Sequence, residues 1–112
     1  MKIRNSILDN QTIVVEIENG DTGEAVDLLN IKKNGYAVFG DNVELPIAVI
    51  DGRLRNEDWF TDNHLLAIEA HELGHILTNS EKEPVAERKG IRLLDSAGYI
   101  IAANILRDRG IA

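Results

Sequence analysis

The feature that most constrains this chain is the stretch 67–87, AIEAHELGHILTNSEKEPVAE, and above all its centre, His71-Glu72-Leu73-Gly74-His75. On a helix the two histidines stand one turn apart on one face, so their imidazoles can converge on a single ion. Glu72 is offset by one residue from the first histidine. Its carboxylate would lie beside such an ion without occupying a coordination position, where it can take a proton from a water. This is the HExxH zinc pattern. Leu65, Leu66, Ile68, Ala70, Leu73, Ile76 and Leu77 surround it, so the helix is expected to be mostly buried, and buried imidazoles require partners.

At 112 residues the chain is expected to form one domain, 1–112, with room for a real core but not for two. A net charge of -7 with no basic stripe argues against a nucleic-acid partner. The absence of cysteine excludes disulfides and thiolate ligands, so any zinc must be held by nitrogen and oxygen. The first residues lack the apolar run of a signal peptide, and no stretch approaches the ~20 apolar residues of a membrane span. The expectation is a cytoplasmic protein without membrane insertion.

In chain order, residues 2–8 and 12–18 read as two short strands joined by Asp9-Asn10 turn chemistry. Thr22 is expected to cap a helix over 23–33, stopped by Asn34-Gly35. Residues 36–39 and 43–54 read as a hairpin across Gly40-Asp41-Asn42. Pro46 cannot donate to a ladder, so the second of these strands either lies at a sheet edge, where 47–50 could bind an extended peptide, or begins after Pro46. Trp59 and Phe60 are expected to plug the junction of sheet and helix. Thr61 or Asp62 would cap the long helix to about Asn79. His64 lies too far along that helix to join the same tetrahedral site and is given a structural role. Gly74 costs ~1 kcal/mol in mid-helix, which implies close approach of another backbone. Pro84 opens a helix to Ala97 with Ala86, Gly90, Leu93, Leu94 and Ala97 inward. Gly98 ends it, and a last helix over 99–109 stops at Gly110.

A catalytic zinc takes three protein ligands and keeps one position open. The candidates for the third ligand are Glu83 and Glu87, both on or near the inward stripe of their helix. In a simple antiparallel hairpin about residue 80, the level midway between the histidines matches residues 87 and 88, which favours Glu87.

Beside the histidine motif, the chain carries Glu83-Pro84-Val85-Ala86-Glu87, Gly90, Leu93-Leu94 and Ala97-Gly98-Tyr99. Over residues 43–110 it thereby resembles the gluzincin metallopeptidases, specifically the minigluzincins and the catalytic domains of CaaX prenyl protease and HtpX-like peptidases. In those families HExxH is followed by a helix reading ExxAD, then Gly, a Leu-rich turn and Ala-Gly-Tyr. The resemblance implies an α+β zincin-like domain, with a three- to four-stranded, mostly antiparallel sheet packed on the HExxH helix and two or three further helices. It implies Glu83 as third zinc ligand, with Glu87 orienting a ligand histidine. It also implies an edge strand along the cleft, matching 46–54, and a C-terminal segment, 99–112, able to hold the enzyme latent. The expected function is a zinc-dependent endopeptidase acting on a peptide or protein substrate, with Glu72 as general base. The alternatives are a non-catalytic protein stapled by zinc and a zinc hydrolase of non-peptide bonds.

Overall fold

Two short strands, β1 (Lys2–Asn5) and β2 (Ile13–Ile17), pair antiparallel about a turn in which the Asp9 carboxylate accepts from the Gln11 N–H and the Thr12 hydroxyl. The computed structural model describes residues 1–108. Helix α1 (Glu24–Lys32) follows, then β3 (Gly35–Val38), β4 (Ile47–Asp51), a 3₁₀ turn (Gly52–Asn56) and three helices, α2 (Asp62–Thr78), α3 (Glu83–Ala97) and α4 (Ile100–Arg107). The described residues thus form an α+β domain with a four-stranded mixed sheet and four α-helices.

The sheet order is β1-β2-β4-β3, with β2 and β4 parallel and the other two pairings antiparallel. This corrects the sequence reading at one functional point: 47–50 is not an edge. The run Ile47-Ala48-Val49-Ile50 is mostly buried, as expected of an inner strand covered on both faces. Pro46 precedes the first ladder residue, so its missing N–H costs no ladder bond, and its carbonyl accepts from the Ile13 N–H. The edge on that side is β3.

Strand alternation divides the core into two. Val14, Ala48 and Ile50 face α2 and join Leu65, Leu66, Leu73, Leu94 and Leu106. Val15, Ile17, Tyr36 and Val49 face the other way, against Val26 and Leu29 of α1. Sandwiched between the sheet and α3 and α4, α2 is buried at every position from Leu65 to His75. That burial continues round the whole helix because it has neighbours on both sides.

Thr61 caps α2 through a reciprocal pair: its hydroxyl accepts from the His64 N–H, and its own N–H donates to His64 Nδ1 at 3.1 Å. His64 therefore serves the helix start. The N-cap of α1 is Gly23 at φ 119, not Thr22, and no side chain caps there. Phe60 is buried as expected, whereas Trp59 lies half exposed with its ring edge-on to Phe60 and His64. Ala97, expected inward, is exposed in the last turn of α3.

Gly74 meets its expected role. A Cβ there would lie 2.0 Å from the Ala86 carbonyl oxygen, and one at Gly90 would lie 2.7 Å from that of Ala70. The two contacts are reciprocal, so α2 and α3 cross antiparallel on backbone. Ala102, Ala103 and Leu106 of α4 are fully buried against this pair, so the described part of the segment 99–112 completes the core. The remainder, with the expected stop at Gly110, lies outside the described residues. No helix among the described residues is long and apolar enough to cross a membrane.

One buried polar cluster ties the sheet to α2. Arg4 reaches Glu16 at 2.8 Å and Glu69 at 2.6 Å, Arg55 reaches Glu16 at 2.7 Å, and Ser6 donates to Glu69 at 2.6 Å. Burial pushes the Glu16 carboxyl upward, but hydrogen bonds from Arg4 and Arg55 outweigh it and hold the group below its ordinary value. The stability from that depression is present above the unfolded value and is lost as pH falls through the folded one. Arg4→Ala removes one cationic partner from each of two buried carboxylates, leaving Glu16 with Arg55 and Glu69 with the Ser6 hydroxyl and the Ile7 N–H, and is expected to cost about 2 kcal/mol at pH 7. Urea denaturation at pH 7 and pH 4 checks this: the deficit should shrink in acid, and an equal deficit at both would contradict the assignment.

Candidate metal centre

His71 and His75 project from the buried stretch of α2 into a cleft of about 730 Å³ between that helix and β3. Their rings lie 5.0 Å apart, centre to centre, and nearly perpendicular. The chain then turns back sharply. Asn79, in the left-handed region at φ 50, donates its N–H to the carbonyls of His75 and Ile76, the form of helix stop that asparagine tolerates. Ser80 follows, and its carbonyl accepts from His75 Nδ1 at 2.7 Å. With Lys82 as N-cap and Pro84 in the first turn, α3 starts within reach of the histidines.

Glu83 closes the group. Its Oε2 lies 2.6 Å from His71 Nε2 and its Oε1 3.2 Å from His75 Nε2. One donor atom from each of the three residues lies within 4.8 Å of the others. Glu87 is not in this group. It stands at the height that a hairpin argument selects, since Gly74 opposes Ala86 and Ala70 opposes Gly90. Height is not the deciding quantity, however. Glu83 lines the cleft into which the imidazoles point and Glu87 does not.

The donor set fits a metal ion. Because His75 Nδ1–H is directed at the Ser80 carbonyl, Nε2 of that ring is left with its lone pair toward Glu83, the tautomer a metal requires. Bonds of about 2.0–2.2 Å at tetrahedral angles separate ligand atoms by roughly 3.4 Å, which lies within the 4.8 Å that encloses the three donor atoms; the 2.6 Å between His71 and Glu83 is a hydrogen-bond distance that would lengthen around an ion. Two imidazole nitrogens and a carboxylate suit zinc, and also cobalt, nickel or manganese. The Glu83 side chain is 63% exposed, so the group opens to solvent and is not sealed within the protein.

Glu72 is buried beside the group, and its carboxyl is pushed up to about 8, first by burial and second by the charge on Glu83. A cation held by the histidines and Glu83 would oppose both causes. Its Oε2 lies where a Cβ on Gly35 would come within 3.2 Å, so the carboxylate sits directly over the start of β3. No protein-family model, no curated protein and no solved structure matches this chain. The chemistry must be read from the site itself.

Several contributors were not anticipated from sequence. Phe39 stacks on the His75 ring at 6.1 Å, and the Ser80 contact uses a backbone oxygen that no residue type advertises. Gly35 could have been noticed, since glycine weakens a strand unless something approaches closely. Neither tyrosine of the chain is placed to stabilise an oxyanion developing beside the histidines. Tyr36 donates to the Ala25 carbonyl on the α1 side of the sheet, and Tyr99 lies on a separate groove with Ile7 and Asp62.

Proposed function

We propose that this chain is a zinc-dependent metallopeptidase of the gluzincin kind, a minimal zincin-like domain akin to the minigluzincins. The observation that carries the reading is the juxtaposition of His71, Glu72, His75 and Glu83 with an open, uncharged sheet edge. The Asp51 N–H donates to the Asn34 carbonyl at 2.9 Å. In the observed register, Tyr36 and Val38 then bond inward to β4, while the Gly35 carbonyl and both backbone groups of Ala37 face the open edge; the Gly35 N–H is held by the Lys33 carbonyl at 2.6 Å. The other edge, β1, carries Lys2 and Arg4, residues that discourage strand pairing, whereas β3 reads Gly-Tyr-Ala-Val. An edge of that kind beside a hydrolytic group suits an extended peptide better than a small ester or amide.

His71, His75 and Glu83 would hold the ion, with His75 kept in the required tautomer by the Ser80 carbonyl. When bound, zinc supplies Lewis acidity that lowers the pKa of a water toward ~7 and polarises a carbonyl. Glu72 takes the proton from the attacking water and delivers it to the departing amine nitrogen. The Gly35 carbonyl and the outward N–H and carbonyl of Ala37 align the peptide backbone. The exposure of Glu83 and the open cleft favour this reading over a structural staple, in which four protein ligands would close the site.

The test is metal content by mass spectrometry of the purified protein, beside His75→Ala, Glu83→Ala and Glu87→Ala, with hydrolysis of a peptide library followed in parallel. One zinc per chain is expected, lost in the first two variants and weakened about 10- to 100-fold at most in the third. Absence of metal from the native protein after zinc is supplied would end the reading. A zinc-loaded protein that cleaves no peptide would leave only the metal site.

A further inference from the structure

The cleft has two walls, one on each face of the sheet. The first is α2, with Glu72 and the histidines. The second is formed on the opposite face by Leu28 and Lys32 of α1 beside Tyr36 and Val38 of β3. A strand added to β3 continues the sheet, so its side chains must alternate between the two walls. Residues that do not face the metal are therefore read by α1.

That wall has a defined composition. Leu28 is 39% exposed and Val38 38% exposed, apolar surface left uncovered at the rim. Lys32 is one turn beyond Leu28 on the same helix face, and Lys33 follows. Neither lysine makes an ion pair with another described residue, although the chain carries 19 acidic side chains against 12 basic ones. Lys32 also complements the carbonyl end of α1, but that role requires no particular direction, and both lysines line the cleft. Lys33 is held at φ 65 and ψ 146 and Asn34 at φ 61. The first combination is almost confined to glycine. This strained turn sets the two cations at the head of β3, just ahead of Gly35.

The spacings match. Four helical residues from Leu28 to Lys32 advance about 6 Å, and two strand residues advance about 6.8 Å. Resting on the peptidase reading for its chemistry, we propose that the site selects extended segments in which an aliphatic residue is followed two positions later by an acidic one. The aliphatic side chain packs on Leu28 and Val38, and the carboxylate meets Lys32 and Lys33. The order follows from antiparallel pairing, the more stable arrangement, which points the C-terminal end of the segment toward Gly35. A net negative protein thereby accepts an acidic substrate at a locally cationic rim of the cleft.

The test uses full-length zinc-loaded Glu72→Gln protein and fluorescence anisotropy with labelled, end-blocked peptides. The reference peptide carries leucine, alanine and aspartate in that order within an otherwise neutral extended sequence. It is expected to bind at least tenfold more tightly than peptides with lysine for aspartate, serine for leucine, or the order reversed. Lys32→Glu with Lys33→Glu should invert the preference at the acidic position, and Leu28→Ser should remove the one at leucine. Equal binding of all peptides, no binding of any, or a preference untouched by these variants would overturn the proposal. The peptide comparison needs no surface variant, so a variant that fails to fold does not rescue it. Wild-type cleavage separates the two readings. Discrimination in binding with no cleavage removes the peptidase and keeps this inference, and cleavage without discrimination does the reverse.

Discussion

Glu72→Gln is expected to lower kcat for peptide hydrolysis by about 10²–10⁴-fold while leaving one zinc per chain. The carboxamide keeps the shape of the side chain but cannot take a proton from water, and Glu72 is not among the three donors that converge. The same variant has a second expected effect in metal-free protein. The Glu72 carboxyl is pushed to about 8 by burial and then by Glu83. A carboxyl raised above its unfolded value stabilises the fold in full below that value, and the contribution is lost as pH rises through about 8. Glutamine carries no such penalty. At pH 8.5 and above, chelator-treated Glu72→Gln should be about 3–5 kcal/mol more stable than the parent, and near pH 4 the two should be alike. Denaturation curves at both pH values decide it. A variant that loses zinc, or one that hydrolyses peptides at the parent rate, contradicts the role assigned to Glu72.

Gly74→Ala is expected to be the most damaging single-methyl change in the helical layer. The added carbon would stand 2.0 Å from the Ala86 carbonyl oxygen and 2.7 Å from its carbon, both backbone atoms that no side-chain rotation can clear. The helices must separate, at a cost of about 3 kcal/mol or more, beyond the usual range for an overpacked core. Glu83 lies one turn before Ala86 on α3, so the same displacement draws the third ligand from the histidines. Gly90→Ala, with its nearest contact at 2.7 Å, should cost less and spare the metal. Thermal unfolding together with zinc affinity separates the outcomes. Equal losses in the two variants would show that the crossing at Gly74 does not position the ligand.

The helical half of the molecule was legible because its signals are local. Thr61, Asn79, Pro84 and Gly98 mark ends where caps and turns are found, and HExxH places His71, Glu72 and His75 beside one another by helix geometry alone. Gly74 was legible as an anomaly, a costly residue in an otherwise favourable helix. The sheet was less so. Whether β3 or β4 forms the edge depends on β2 pairing in parallel with β4, a contact between segments distant in the chain, which Pro46 alone could not reveal. Which glutamate joins the histidine cluster turned on which face of α3 meets the cleft, and a comparison of heights cannot give that. The Arg4, Glu16 and Glu69 cluster was missed because glutamate is ordinarily read as exposed, although Glu69 inside the apolar run Leu65 to Ala70 was a signal.

The asymmetry of the two sheet edges has a consequence for self-association. β1 is defended by its charges, but β3 leaves its outward backbone groups open to a second copy. Two chains meeting there would form one continuous sheet and close both clefts. What opposes this is an edge only four residues long and a net charge of -7 that keeps copies apart. Raising salt weakens the second defence, so crowding and ionic strength bear on how many clefts stay open.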